Sequence, residues 1–339
     1  MADLSHLQII FLLLIATELM LFFVMDGADF GAGMATFFVG DDDAARNQIM
    51  KVTGPVWGGN ETWAVTAFAI MFAAYPGWYT AVTGYYIPVF LILLFLMFRG
   101  VAFDYRNQWH SRHYNRFWDW ALMIGSLIPP FLFGLIFSSM ISGVTIRNGY
   151  VHASVGDLLT FFNLAGGVLA VVLSLTIGLA RIIKKVPETL AAALTKRLKG
   201  TLIVLYVVMA TFAVSLPLST TIWQRHPVIV TSLLVLFVLS AGLEWWTVSR
   251  QYRHTTFWLS AIAMASFVYT IFLGNYPNLV IGKHAGTTIT AKMATSGPVS
   301  LVWTAWLVGF MIITMVIMQS LAYHWVNEYY HDPNLSPLI

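Results

Sequence analysis

The sequence predicts an all-α polytopic membrane protein with nine transmembrane helices, its N-terminus outside and its C-terminus cytoplasmic. Three observations carry that prediction. Apolar residues make up 58% of the 339-residue chain and charged residues 10%, with a mean hydropathy of +0.75, a balance foreign to water-soluble domains. Nine runs long and apolar enough to cross a bilayer follow one another along the chain. The 18 Lys and Arg also divide unevenly between the two sets of alternate loops that these runs create.

The predicted spans are 7–34, 56–75, 78–98, 117–141, 157–180, 201–221, 228–247, 257–275 and 299–322. The first run has no positively charged leader before it, so it reads as a span rather than a cleaved signal. Pro129 and Pro130 fall inside the fourth span and should kink it, because proline supplies no N–H to the helical ladder. Pro217 gives the sixth span a place to tilt or break. With nine spans, one side receives Arg46, Lys51, Arg99, Arg106, Arg112, Arg116, Arg181, Lys184, Lys185, Lys196, Arg197, Lys199, Arg250 and Arg253. The other side receives Arg147, Arg225, Lys283 and Lys292. The richer side is the cytoplasmic one by the positive-inside rule.

No loop is long enough for an independent soluble core. Residues 1–339 therefore read as a single integral membrane domain, two four-helix groups plus a ninth helix. The basic stretch 181–200 reads as a short amphipathic helix lying at the interface and attracted to anionic lipid.

Composition excludes several functions. A formal charge of +3 is too small and too scattered for nucleic-acid binding. The absence of cysteine rules out disulfides, thiolate chemistry and Cys-ligated clusters. No phosphate-binding G-x-x-x-x-G-K-[ST] motif occurs, and G-A-D-F-G-A-G sits inside a span rather than after a soluble strand. All nine histidines, among them His110 and His113 of H-S-R-H, fall in loops, tails or last turns. A buried haem normally takes an axial His or Met from a span, and Met at apolar spacing serves mostly as core filler. The chain is therefore expected to carry no redox centre or metal of its own.

Ionisable residues inside the membrane are costly, so they mark function. Asp26 and Asp29, in D-G-A-D, share a helix face and lie among Gly27, Gly31 and Gly33, which leave room for a neighbouring helix or water. Two carboxylates so close in low dielectric resist ionising together, and one of them can hold and pass on a proton. Glu61 opens the second span, Arg99 and Asp104 end the third, Asp119 opens the fourth and Glu244 closes the seventh. All lie in the cytoplasmic half, so the acids outline a one-sided polar inlet. Asp157 alone lies near the outer surface.

The motifs D-G-A-D-F-G-A-G (26–33), G-P-V-W-G-G-N-E-T-W (54–63), F-A-A-Y-P (72–76), G-Y-Y-I-P (84–88) and F-R-G-V-A-F-D-Y-R (98–106) occur in that order. With W-D-W and G-S-x-x-P-P in the fourth span, the chain closely resembles subunit II of the cytochrome bd-type quinol oxidases, most strongly over residues 20–135. The resemblance implies a haem-free subunit paired with a haem-bearing subunit I, which carries haems b and d and oxidises quinol. The complex would reduce oxygen to water in the respiratory chain, in the bacterial cytoplasmic membrane, taking its protons from the cytoplasm. Membrane lipids and quinone are further implied partners, and a small single-span subunit is left open. Asp26 and Asp29 match the family's D-G-x-D, and Arg99, Asp104 and Arg106 its R-x-x-x-F-[DE]-x-R.

The implied proton-pathway candidates are Asp26, Asp29, Glu61, Asp104 and Asp119, with Trp57, Asn60, Arg99 and Arg106 as polar support. Ala28 stands where the family usually has Phe. Gly58 stands where it usually has an acid after the Trp, so Glu61, one turn further on, is the residue expected to take over. Two other readings compete: a proton- or ion-coupled transporter, and a purely structural partner whose acids serve helix packing.

Overall fold

The computed structural model describes residues 5–331 apart from 107 and 110. His110 thus lies outside the described residues. Ser5 opens α1 (His6–Ala35) with a capping box, its hydroxyl accepting from the Gln8 N–H while its own N–H donates to the Gln8 side chain. A 3₁₀ turn (Thr36–Val39) and α2 (Asp43–Thr53), capped by Asp42, lead to α3 (Trp57–Ala74) and α4 (Pro76–Thr83). The long helices α5 (Tyr86–Tyr105) and α6 (Arg112–Ser142) follow. After a β1 (Ile146–Arg147)–β2 (Tyr150–Val151) hairpin come α7 (Val155–Leu158), α8 (Phe161–Ile182), α9 (Glu188–Ser219) and α10 (Ile222–Arg225). The chain finishes with α11 (Pro227–Ser249), α12 (Arg253–Asn275), the antiparallel pair β3 (Asn278–Val280) and β4 (Ile289–Thr290), α13 (Ala291–Ala294) and α14 (Pro298–His331).

Among the described residues, eight helices are long and apolar enough to cross a membrane: α1, α5, α6, α8, α9, α11, α12 and α14. The predicted second span is helical as α3, but Gly58, Gly59, Asn60 and Glu61 in its first turns keep it out of that group. Several boundaries move. The third span starts at Tyr86 rather than 78, because α4 ends at Gly84, where a Cβ would fall 2.2 Å from the Val151 carbonyl oxygen. The fifth starts at Phe161, since Asp157 caps the separate turn α7. The ninth runs on to His331. The stretch 181–200 is not a separate interfacial helix: after a turn at 183–187, α9 runs unbroken from Glu188 into the sixth span. Pro129 and Pro130 lie within the continuous helix α6, and Pro217 in the last turn of α9, where a missing N–H interrupts little beyond it.

α1 is the hub, packed against α3, α6, α8 and α12. Small residues set its closest crossing. A Cβ on Gly31 would fall 1.9 Å from the Ser174 carbonyl oxygen, and one on Gly178 would fall 2.4 Å from the Gly31 Cα. The α1 and α8 backbones therefore meet where neither can carry a side chain. α14 sits at the periphery against α3 and its described side chains are mostly exposed, whereas those of α8 are mostly buried.

At the end opposite the basic loops, Asp157 ties α7 to both hairpin connections. It accepts from the Ser154 N–H (3.1 Å) and the Thr145 N–H (3.4 Å) and pairs with Lys283. Burial pushes its carboxyl up, but the Lys283 ammonium and these N–H donors outweigh burial and hold it below the usual carboxylate range. Lys283→Met is expected to cost roughly 1 kcal/mol, since the ammonium is partly exposed. Because the folded-state carboxyl is depressed, this contribution is full above about pH 4 and is lost as pH falls through the depressed value. Thermal melts of the solubilised protein at neutral and acidic pH check it: the variant's deficit should shrink on acidification.

Candidate functional site

The D-G-A-D turn of α1 gathers polar groups from three helices: Asn60 and Glu61 from α3, Arg99 from α5 and Arg181 from α8. Arg99, from the last third of α5, extends its Nη2 to Asp26 Oδ1 at 2.8 Å and to Glu61 Oε1 at 2.5 Å. Arg181, from the end of α8, places Nη1 2.7 Å from Asp29 Oδ1. Asn60 Nδ2 donates to the other Asp29 oxygen at 2.7 Å. Asp26, Asp29, Asn60 and Arg99 are fully buried, whereas the Glu61 side chain keeps 25% exposure. The Arg99 guanidinium also lies 4.3 Å from the Phe30 ring centroid, a cation–π contact that helps retain a charge away from water.

The cluster is anchored from outside by α14. Gln319 Nε2 (2.8 Å) and the Tyr323 hydroxyl (3.1 Å) both donate to Asn60 Oδ1. A Cβ on Gly59 would approach Gln319 Oε1 at 2.9 Å, so that glycine admits the Gln319 side chain. Asn60 thereby links the ninth predicted span to Asp29 by direct hydrogen bonds.

Glu61 looks outward along a groove between α3 and α5 of about 620 Å³. Its walls are mostly apolar, with Phe22 and Phe133 reaching in from α1 and α6, and its polar members include Glu61 and Asp104. Asp104 is exposed. Trp57 lines the same groove, stacked on Phe103 at 6.1 Å and packed over Gly100, where a Cβ would fall 2.6 Å from its ring. Gly58 is exposed, and a Cβ there would meet no atom within 4 Å. Glu61 points to Arg99, while position 58 opens onto free space.

Asp119 and Arg106 belong to a different knot. Arg106 Nε meets Asp119 Oδ1 at 2.5 Å, Nη2 meets Asp43 Oδ1 at 2.6 Å, and Nη1 donates to Asn47 Oδ1 at 2.8 Å. Arg46 joins Asp43 at 2.9 Å and Asp119 at 3.2 Å. This network clips α2 to the facing ends of α5 and α6. The predicted inlet therefore divides into a buried Asp26–Asp29–Glu61 cluster and a fastening at the bundle end.

Sequence reasoning misses Arg181, Gln319 and Tyr323 in the cluster, and the buried acid Glu18 outside it. Arg181 counts there only as one of many loop cations, and only the reach of α8 carries it to Asp29. Glu18 is buried within α1, and among the described residues its Oε2 has no hydrogen-bond partner. A signal for Glu18 exists in the sequence, since any acid inside an apolar run is costly.

Three comparisons agree with this architecture. A family model described as cytochrome bd terminal oxidase subunit II matches residues 7–326. Cytochrome bd ubiquinol oxidase subunit 2 of Bacillus subtilis is 33% identical over 300 residues, covering 88% of this chain and 89% of the relative. Cytochrome bd-I ubiquinol oxidase subunit 2 of Escherichia coli K12 is 36% identical over 184 residues, covering 52% of this chain and 48% of the relative. A solved structure of the bd oxidase from Geobacillus thermodenitrificans superposes with a TM-score of 0.74 at 15% identity, over 95% of this chain and 98% of that one, and so supports the fold. On the span of the family match and the near-complete alignment to the Bacillus relative, the chain belongs to the cytochrome bd terminal oxidase subunit II family.

Proposed function

We propose that this chain is the haem-free subunit of a quinol:oxygen oxidoreductase and supplies a proton-uptake route to the haem-bearing subunit I. The observation that carries the reading is one guanidinium group: Arg99 Nη2 holds fully buried Asp26 and partly exposed Glu61 together. A proton arriving at Glu61 from the groove reaches a cluster of three acids and two arginines without crossing apolar protein. Asp104 at the groove surface collects protons, Glu61 admits them, and Asp26 and Asp29 retain or pass them on. Arg99 and Arg181 hold the carboxylates in place and offset part of their charge, and Asn60 orients Asp29. Asp119 and Arg106 keep the entrance in shape.

In this proposal α3 is the ninth crossing. The side rich in Lys and Arg is cytoplasmic, the N-terminus lies outside, and the whole chain forms one integral domain of the bacterial cytoplasmic membrane. Relatives named as ubiquinol oxidase subunits support quinol as substrate of the complex, with haems b and d residing in subunit I.

Glu61→Gln is the test. It preserves shape and removes the titrating group, so oxygen reduction at saturating quinol should fall by roughly a hundredfold or more, in the range of removed proton-transfer groups. Gly58→Asp has open space and should fold normally; combined with Glu61→Gln it should restore part of the rate. An unchanged rate in Glu61→Gln, with the visible haem spectrum of the purified complex intact, would sink the route while leaving the subunit assignment standing. A preparation without haem absorption would sink the assignment itself.

A further inference from the structure

The helix ends at the basic side carry a surface feature that the buried cluster does not use. Lys196, Arg197 and Lys199 lie in the early turns of α9, and Arg250 directly follows α11. Lys196, Arg197 and Arg250 are exposed and Lys199 is half-buried. Acids near them do little to offset this charge. Glu188 is engaged through both oxygens by Arg253, at 2.5 and 2.7 Å. Glu244 points inward, fully buried, and accepts from Ser260 Oγ at 2.5 Å.

The cations come with aromatic rings and an apolar surface beside them. The Lys199 ammonium lies 6.0 Å from the Trp245 ring across the α9–α11 junction. Trp245 and Trp246 are exposed, and Trp246 meets Tyr252 edge-on at 5.6 Å. Deeper along the same two helices, Val204 and Leu243 are exposed. A Cβ built on Gly200 or Gly242 would meet nothing within 4 Å. The helices touch where the Tyr206 hydroxyl donates to the Ala241 carbonyl at 2.9 Å.

We propose that this α9–α11 edge binds an anionic phospholipid. Lys199 and Arg250 take the phosphate, Trp245 lies at the level of the glycerol and ester groups, and an acyl chain covers the Val204–Leu243 surface. Charge complementarity selects the occupant. A zwitterionic headgroup brings its own cation into a region already rich in them, whereas an anionic one does not. The order from cation to indole to aliphatic side chain also matches the order from headgroup to chain in a lipid. The proposal rests on no part of the proton route.

The test reconstitutes the assembled complex in nanodiscs of equal phosphatidylglycerol and phosphatidylcholine, exchanges it into detergent and quantifies the lipid retained. Two cations near the surface predict roughly a ten- to thirtyfold preference for phosphatidylglycerol. Lys199→Gln/Arg250→Gln should reduce it to about threefold or less, and Trp245→Ala should lower total retention. Quinol oxidase activity in detergent, which these variants leave unchanged, verifies that each has folded. An undiminished preference in the double variant overturns the proposal. So does displacement of the lipid by soluble glycerol phosphate, which would make a free phosphate the ligand. Loss of a bound acidic protein, with lipid retention unchanged, would assign the patch to a protein partner instead.

Discussion

Replacing Arg99 by Leu is expected to be the most damaging single change in the buried cluster. Its guanidinium is fully buried and bonded to both Asp26 and Glu61. Removing it leaves Asp26 buried without its cation, and breaking a buried pair from one side costs about 3–5 kcal/mol. Glu61 can turn back toward the groove, so Asp26 bears most of that cost. Assembled complex should be scarce in membranes, and whatever is isolated should melt well below the native protein. Arg99→Leu/Asp26→Leu supplies the discriminating comparison. If the loss comes from a stranded charge, removing both partners should recover a substantial part of it, because contacting residues are not additive. Arg99→Lys should fall between, since an ammonium keeps the charge but loses the planar fork. A native melting profile in Arg99→Leu would show that the pair contributes nothing to stability.

The second large effect is expected at the helix crossing beneath the cluster. Gly178→Val places a branched side chain where even a Cβ would come within 2.4 Å of the Gly31 Cα. The atoms in the way are backbone, so no rotamer change relieves the clash and α1 must move away from α8. Overpacking of this kind costs about 1–3 kcal/mol and more when backbone must shift. The consequence reaches the site, because Asp29 on α1 and Arg181 on α8 flank this crossing and their 2.7 Å contact depends on it. Gly178→Val should therefore lower both stability and oxygen-reduction rate. Gly58→Val, which meets open space, should do neither and serves as the control. Melting temperature and turnover of the two variants, measured side by side, check the contrast; equal behaviour would remove the close crossing as the cause.

The sequence alone determined the class of this protein and most of its helices. Long apolar runs have one stable solution in lipid, a helix that satisfies its own backbone, so the long apolar helices among the described residues are legible from hydropathy. The family is legible too, because its motifs lie within α1 to α6 in a fixed order. Asp26, Asp29, Glu61 and Arg99 stand out for the same physical reason, the expense of an ionisable group at that depth. Where local chemistry competes with hydropathy, the boundaries move. Gly84 ends α4 before the third span begins, Asp157 caps a separate turn, and the basic stretch after 187 continues as part of a long apolar helix instead of lying flat.

Which charges belong together was decided only by tertiary structure. Asp26 and Asp29, three residues apart on one helix, look in sequence like a pair competing for one proton. The fold gives each its own arginine, Arg99 from α5 and Arg181 from α8, residues 73 and 152 positions away. Asp119 and Arg106 read in sequence as part of the same inlet, yet they close a separate knot with Arg46 and Asp43. Periodicity reports which side of its own helix a residue occupies. It holds no information on which neighbouring helix packs there, and in this bundle the small residues at the α1–α8 crossing settle that through contacts far apart in the chain.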